Sequence, residues 1–520
     1  LLQIAKELQE TLEFYKSGGA ETMALAPEVV KDLQIASGLQ AYNLLPTALT
    51  LYPALTPIRN MLPRLQGRGK QSEFKAIVGL SGDTLGNIFG SEGNSGTKVT
   101  VQTSDIIAIY RSLKEATGIS FEQQWAGQGF IDSKSTGVVN LLRQFMIQEE
   151  FAILYGLNTS AATNQFGPGA VGTPAAASLA SVATPTGLTT GNFASATAFI
   201  RYTAVTGMGE SLPSTEQSQA IAAANVLQVT LPVRSGLPVL YYKFYTNTAS
   251  GNELLNIVTS KVAYVNPSNV ATTYPSILIA GAAASTGPSV YISDKGTGAN
   301  VSTVAADNSA STLAYNGFVS QLYGSTQYTW PSVTTPLSSV GATVISALDR
   351  LLVQGSGNNS IENFLAAMWQ NAAADPKWAL LFQTEARKIT NLTIGQTSGA
   401  GPTPYFIVPQ GAPSDTTASF RVSRLVNPVT GSEIVLKTHP YVNQGSIIFG
   451  TDELPSWYVP TEIPAPIALD MLQDYTEVDY PPVYNTSGSG DTWVVQVMNM
   501  GTFKLFIPPL FGVMDSIAPG

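Results

Sequence analysis

No cysteine occurs among the 520 residues, and histidine occurs once, as His439. The first absence excludes disulfides, thiolate metal sites and a cysteine nucleophile. The second excludes the multi-histidine sets that hold zinc, and any Ser-His-Asp triad would depend on this one residue. Charge is also scarce. Only 12% of residues are charged and the net charge is −9, which argues against affinity gained by neutralising nucleic-acid phosphates along a basic stripe. No apolar run reaches the about 18 residues that span a bilayer. The nearest is SILIAGAAA at 276–284, so no membrane span is expected.

What is abundant points to strands and turns. Hydrophobic residues make up 44% of the chain, with 46 glycines, 32 prolines and long Ala/Ser/Thr tracts. The length predicts roughly three domains. The chain begins at Leu1 without an initiator Met or a signal-peptide pattern, which fits either a processed end or the edge of an ordered region.

Helical spacing of Leu1, Ile4, Ala5, Leu8, Leu12 and Tyr15 predicts an amphipathic helix ending near Gly18, and Pro27 opens a second that stops at Gly38. Pro46, Pro53, Pro57 and Pro63 then keep the chain extended. SEFKAIVGL and TKVTVQT, separated by GSEGNSG, predict a long hairpin or an open loop. SDIIAIYRSLKEATG at 104–118 reads as a helix, and a longer one is expected over 134–156. From about 157 charges thin out, and FIRYTAV, VLQVTLPV and VLYYKFYT alternate with turn clusters, the pattern of a small inserted sandwich. Helices are expected again in PLSSVGATVISALDRLLVQG, in SIENFLAAMWQNAAA with Ser360 as cap, and in DPKWALLFQTEARKI with Asp375 as cap. Strands follow in PYFIVP, ASFRVSRLV, SEIVLKT after the turn NPVTG, and a closing pair TWVVQVM and FKLFIP. The class is α+β.

No catalytic set emerges. His439, in KTHPY, is expected to be a polar residue at a strand end rather than a base. Glu149 with Glu150, or Asp474 with Glu477 and Asp479, are the carboxylates a glycosidase would need. Adjacent helical residues point to different sides, so solvated or salt-bridged carboxylates are expected instead. GRGKQS and GSGNNS match neither a Walker A loop nor a dinucleotide fingerprint, and no cofactor is expected.

One stretch stands out in so weakly charged a chain. LYPALTPIRNMLPRLQGRGKQSEFKAI at 51–77 sets Arg59, Arg64, Arg68, Lys70 and Lys75 close together among prolines. A protein contact is the sensible reading, because an extended arm needs a neighbour and arginine is favoured at interfaces. Acceptors are expected on another subunit, with the acidic helix face, or Asp474, Glu477 and Asp479 in DMLQDYTEVDY, as candidates. Replacing Arg59, Arg64 and Arg68 by Ala is then expected to leave the subunit folded and weaken assembly.

YPALTPIRNMLPRLQGRG, KVTVQTSDI, LLRQFMIQEEFAILYG, LKTHPYVNQGSIIFG and the ending GTFKLFIPPLFGVMDSI, in this order, resemble the major capsid proteins of tailed bacteriophages. The resemblance covers about 40–160 and 300–520 and implies the Hong Kong 97 type capsid fold. It divides the chain into N-terminal helices and arm (1–64), an extended loop over a neighbouring subunit (65–126), and a peripheral domain with a long spine helix (127–179). An inserted immunoglobulin-like or fibronectin type III-like β-sandwich (180–290), an axial domain (291–450) and a return to the peripheral domain (451–520) complete it. The implied function is that of a non-enzymatic subunit that self-assembles into hexamers and pentamers. These form the icosahedral head around double-stranded DNA, with no sequence-specific binding and no membrane. The implied partners are portal, scaffold or protease during assembly, cement proteins, and weak host-surface glycan contact through the insertion. The implied place is the virion, assembled in the host bacterial cytoplasm. Some members of the family carry Lys to Asn isopeptide links, with Lys70 or Lys75 and Asn499 as the residues to consider here. No complete site with its carboxylate can be matched, and no crosslink is expected. The second reading, motivated by the sandwich-like middle, is a carbohydrate-binding adhesin or tail-associated surface-binding protein.

Overall fold

The computed structural model describes residues 56–81, 92–93, 100–126, 132–160, 166–184, 190–232, 239–258, 276–279, 289–328, 340–350, 352–353, 357–394, 422–454, 463–480 and 492–517. The two N-terminal helices, the arm before residue 56 and the strand PYFIVP lie outside the described residues. The chain divides into two compact units, Leu1–Tyr52 with Phe121–Thr136, and Pro53–Ser120 with Gly137–Gly520.

In the first unit, a helix over Phe121–Ala126 stacks Phe121 on Trp125. Asp132 takes the backbone N–H groups of Lys134 and Ser135, capping the start of the helix Ser133–Tyr155.

The second unit opens with the short helix α1 (Pro57–Met61) and strand β1 (Arg64–Gln66). The predicted hairpin is present as β2 (Gln71–Ser81) against β3 (Thr100–Ile109), antiparallel, with Lys75 directly opposite Asp105. The helix expected over 104–118 is instead the end of β3 followed by β4 (Arg111–Ser120). Its burial alternates with period two, Ile106, Ala108 and Tyr110 facing inward. Residues 111–120 find a ladder partner for each position, which overrides the helix propensity of RSLKEA. With the 121–126 helix as α2, the long helix is α3, and its bounds match the expected 134–156 within a residue. Gly156 follows its last residue, where a side chain would meet the carbonyls of Tyr315 and Ala152 at 2.5 and 2.7 Å.

The stretch from 178 to 292 builds two sheets. In the first, β6 (Thr197–Val205) lies between β7 (Gln217–Ala220) and β9 (Tyr241–Asn247), with β10 (Leu254–Val258) beyond. In the second, β8 (Asn225–Thr230) lies between β5 (Ser178–Ala183) and β12 (Ser289–Ile292), with β11 (Ser276–Ile279) at the edge. Tyr202, Phe244 and Ile257 from one sheet join Leu227, Val229 and Val290 from the other in one apolar cluster.

The rest surrounds a six-stranded mixed sheet. Its order is β13 (Thr343–Arg350), β20 (Gly512–Ile517), β17 (Ile447–Gly450), β14 (Trp378–Leu381), β16 (Glu433–Thr438) and β15 (Arg424–Val426). Helices α4 (Phe318–Gln327), α5 (Ile361–Ala372) and α6 (Gln383–Ile394) contact it. Phe318, Phe364, Trp378, Phe449 and Phe511 are buried at its centre, Phe318 edge-on to Phe511 at 5.4 Å. The helix expected over PLSSVGATVISALDRLLVQG is corrected here, since its middle is β13, parallel to β20. A short apolar run of this kind has no distinguishing period, and the neighbouring strand decides it. The helix expected from Asp375 is also corrected. WALL is a buried central strand, and α6 starts only at Gln383. Asp375 caps no helix and instead holds the turn 427–432 through Asn427, Thr430 and Ser432. Ser360 does cap α5, taking the N–H of Asn363 at 3.5 Å.

The closing pair is a single strand, β19 (Thr492–Leu505), hydrogen-bonded along β18 (Ile467–Tyr480). With β1 parallel to β18, and β4 antiparallel to β19, they form a four-stranded sheet. The middle of α3 lies on it, Leu141 and Phe145 packing on Val497 of β19.

Candidate functional site: the arm and its anchors

Two adjacent acids near the end of α3, Glu149 and Glu150, are 1% and 0% exposed. Ionised carboxylates are buried only when fully hydrogen-bonded, and consecutive helical positions send these two to different partners. Glu150 receives the backbone N–H groups of Ile58 at 2.9 Å and Arg59 at 2.7 Å. These are first-turn donors of α1, whose own Thr56 supplies no side-chain cap. His439 Nδ1 accepts from the N–H of Tyr441 at 3.1 Å, which leaves the proton on Nε2, 2.6 Å from Glu150 Oε1. The sole histidine is therefore a buried donor just past the end of β16, in keeping with the polar strand-end role.

Glu149 gathers the side chains. Arg59 Nε donates to it at 2.5 Å, Arg64 at 3.2 Å, and Asn499 Nδ2 at 2.7 Å. The Tyr475 hydroxyl donates to the same carboxylate, and the Tyr475 ring has the Arg59 and Arg64 guanidiniums over it at 4.9 and 5.0 Å. Burial, reinforced by the Glu149 charge, pushes the Tyr475 phenol up to about 12. The folded chain thus holds this proton more tightly than the unfolded one. The contribution of Tyr475 is full below about pH 10 and is lost as pH rises through about 12. Tyr475→Phe should remove about 1–2 kcal/mol of stability, together with this alkaline decline, as read by chemical denaturation from pH 8 to 12.

A second anchor fixes the root of the hairpin. Asp470 on β18 accepts from Ser72 on β2 at 2.7 Å, from the Tyr110 hydroxyl at 3.1 Å and from Lys504 on β19 at 2.8 Å. Gly67 admits Tyr110, because a side chain there would meet its hydroxyl at 2.5 Å. Beyond this root the hairpin has two unlike faces. Phe74, Ala76 and Ile106 face the main core, whereas Ile77 and Val101 on the other face are 70% and 53% exposed, near Lys75 and Asp105.

The basic stretch therefore splits. Arg59 and Arg64 pair with Glu149 of their own chain, where the sequence expectation set their acceptors on another subunit. Arg64 also pairs with Asp474, taking that acceptor too. Lys75 faces Asp105 within the hairpin at 3.6 Å. Arg68 and Lys70 are exposed on either side of Gly69, whose φ of 76° makes the turn. Glu477 and Asp479 are exposed on the distal half of β18. Glu149 and Glu150 as twin anchors were beyond sequence reasoning, since their partners include residues 90, 289, 326 and 350 positions away. Among the described residues no three His, Asp or Glu side chains cluster as metal ligands, and no helix is long and apolar enough to cross a membrane.

No protein-family model matches the chain, and no curated protein matches it by sequence. Solved structures do. The capsid of a native GTA particle computed with C5 symmetry is 8% identical, covering 93% of this chain and 98% of that one, with a TM-score of 0.41. A chain from Mycobacterium phage Bobi is 6% identical over 92% and 96%, TM-score 0.40. A capsid chain of the cyanophage P-SCSP1u is 8% identical over 92% and 93%, TM-score 0.35. At this identity and score the likeness carries no function from those particles to this chain.

Proposed function

We propose that this chain is a structural, non-enzymatic subunit that self-assembles into hexamers and pentamers to form an icosahedral phage head around double-stranded DNA. The observation that carries the reading is the hairpin β2–β3. Its root is tied to the sheet by Asp470, and one of its faces presents Ile77 and Val101 to solvent beside paired charges. An anchored ladder that exposes two apolar side chains among charged and polar ones suits contact with a second copy, and symmetric assembly repeats such a modest contact many times. The segment boundaries given for arm, loop, peripheral, axial and inserted immunoglobulin-like parts belong to this reading. So do portal, scaffold, protease and cement partners and weak glycan contact through the insertion.

With Arg59 and Arg64 held by Glu149 and Lys75 facing Asp105, Arg68 and Lys70 are the cations of this stretch offered to a neighbour, and Glu477 and Asp479 the acceptors proposed for them. Arg68→Ala with Lys70→Ala should leave unfolding unchanged. Two exposed pairs of about 0.5 kcal/mol each would raise the concentration needed for assembly by about fivefold. The gap should narrow as salt rises. Sedimentation velocity and negative-stain imaging of the full chain check both points. A chain that stays monomeric under every assembly condition sinks the reading, and glycan binding by such a monomer would favour the surface-binding alternative.

A further inference from the structure

We propose that Glu216 and Glu253 hold one proton between them when the tip of the β9–β10 hairpin is closed, and that loss of this proton opens the tip. Glu216 precedes β7, Glu253 precedes β10, and the tip between β9 and β10 runs over residues 248–253. The N–H of Gly251 donates to both acids at once, to Glu216 Oε2 at 2.9 Å and Glu253 Oε1 at 3.1 Å. Two carboxyl groups within reach of one N–H crowd each other, and both cannot ionise without repulsion.

The two positions are unequal. Glu253 is fully buried and its Oε2 accepts no hydrogen bond among the described residues, the situation in which a neutral carboxyl is favoured over an anion. Glu216 is partly exposed and receives Ser250 Oγ at 2.7 Å. Arg201 on β6 stands between them, 3.4 Å from Glu216 and 3.6 Å from Glu253, so one positive charge faces two acids. On the same sheet, Glu210 is neutralised by Lys243 at 2.6 Å and takes the Tyr245 hydroxyl at 2.6 Å, so that lysine is engaged. From the segment after β12, Asp294 offers the neighbouring Thr246 and Asn256 its backbone carbonyl. The directions agree with this division. The hydrogen bond from Glu253 holds Glu216 low, at about 2, and burial, followed by the hydrogen bond to Glu216, pushes Glu253 up.

The sign follows from linkage. Closure drawn from Glu253 is complete below the ordinary glutamate range and is lost as pH rises through its raised value. Closure drawn from Glu216 is lost only near pH 2. The tip is closed between those limits.

Hydrogen exchange of the full chain, corrected for intrinsic rates, tests this on peptides covering 248–254 from pH 5 to 9. Protection should fall as pH rises across this range by up to about tenfold per pH unit, as one lost proton requires, while peptides from β6 stay flat. Glu253→Gln, neutral at every pH, should keep the tip protected and abolish the slope. A flat profile in the native chain overturns the proposal whether or not the variant folds, as does a variant that keeps the native slope.

Discussion

Arg59→Ala should lower the unfolding free energy of the subunit by about 3–5 kcal/mol, the loss expected when one member of a buried ion pair is removed and the other is left behind. Glu149 would retain Arg64, Tyr475 and Asn499 but lose its 2.5 Å partner. Arg64→Ala should cost less, because that guanidinium is more exposed and shares its charge with Asp474. Arg68→Ala, on an exposed turn, should fall within about 0.5 kcal/mol of the native chain. Denaturant melts of the three variants give the order directly. Equal, small effects from all three would mean that Glu149 is not anchored as described. This reverses the sequence expectation that the first two arginines are dispensable for folding.

Excising residues 178–292 should destabilise what remains rather than merely remove decoration. Thr206 hydrogen-bonds the carbonyl of Ser309, and a side chain at Gly207 would overlap Tyr155 of α3. Asn443 donates to the carbonyl of Leu240 at 2.9 Å, and Val239 and Leu240 line a small cavity with Tyr155, Val319 and Tyr323. Uncovering Tyr155 and Val319 amounts to about 3–6 kcal/mol of lost burial. A lowered melting temperature of the excised chain is the expected result. Gly207→Val should reproduce part of the loss with both sheets intact. If the excised chain melts where the full chain does, these contacts contribute nothing.

Much of the architecture was legible because it is local. The hairpin, α3 and the Ser360 cap each rest on period, turn residues or a single hydrogen bond between near neighbours. What failed depends on partners distant in sequence. β4 and β13 carry helix-compatible residues and became strands because β19 and β20 lie beside them. α4 escaped notice because Ser320, Gln321 and Ser325 are buried, which blurs its apolar stripe, and Gly317 gives it no side-chain cap. At the site, the basic stretch was visible in the sequence. Of its acceptors, Asp474 was named and does meet Arg64, though within one chain, whereas Glu149 and Glu150 read as ordinary helical acids until the chain brings Ile58, His439, Tyr475 and Asn499 to them.

That assembly of distant pieces has a kinetic consequence. Glu149 cannot be desolvated favourably until residues 90, 326 and 350 positions away have all arrived. Dry burial of the two acids therefore belongs late in folding, after long loops have closed, and the chain before that point exposes β18 and β19 without the arm strand at their edge. A nascent subunit is at its most prone to pair with the wrong copy in that interval, and the carboxylates act as a checkpoint that only a completed fold can pass.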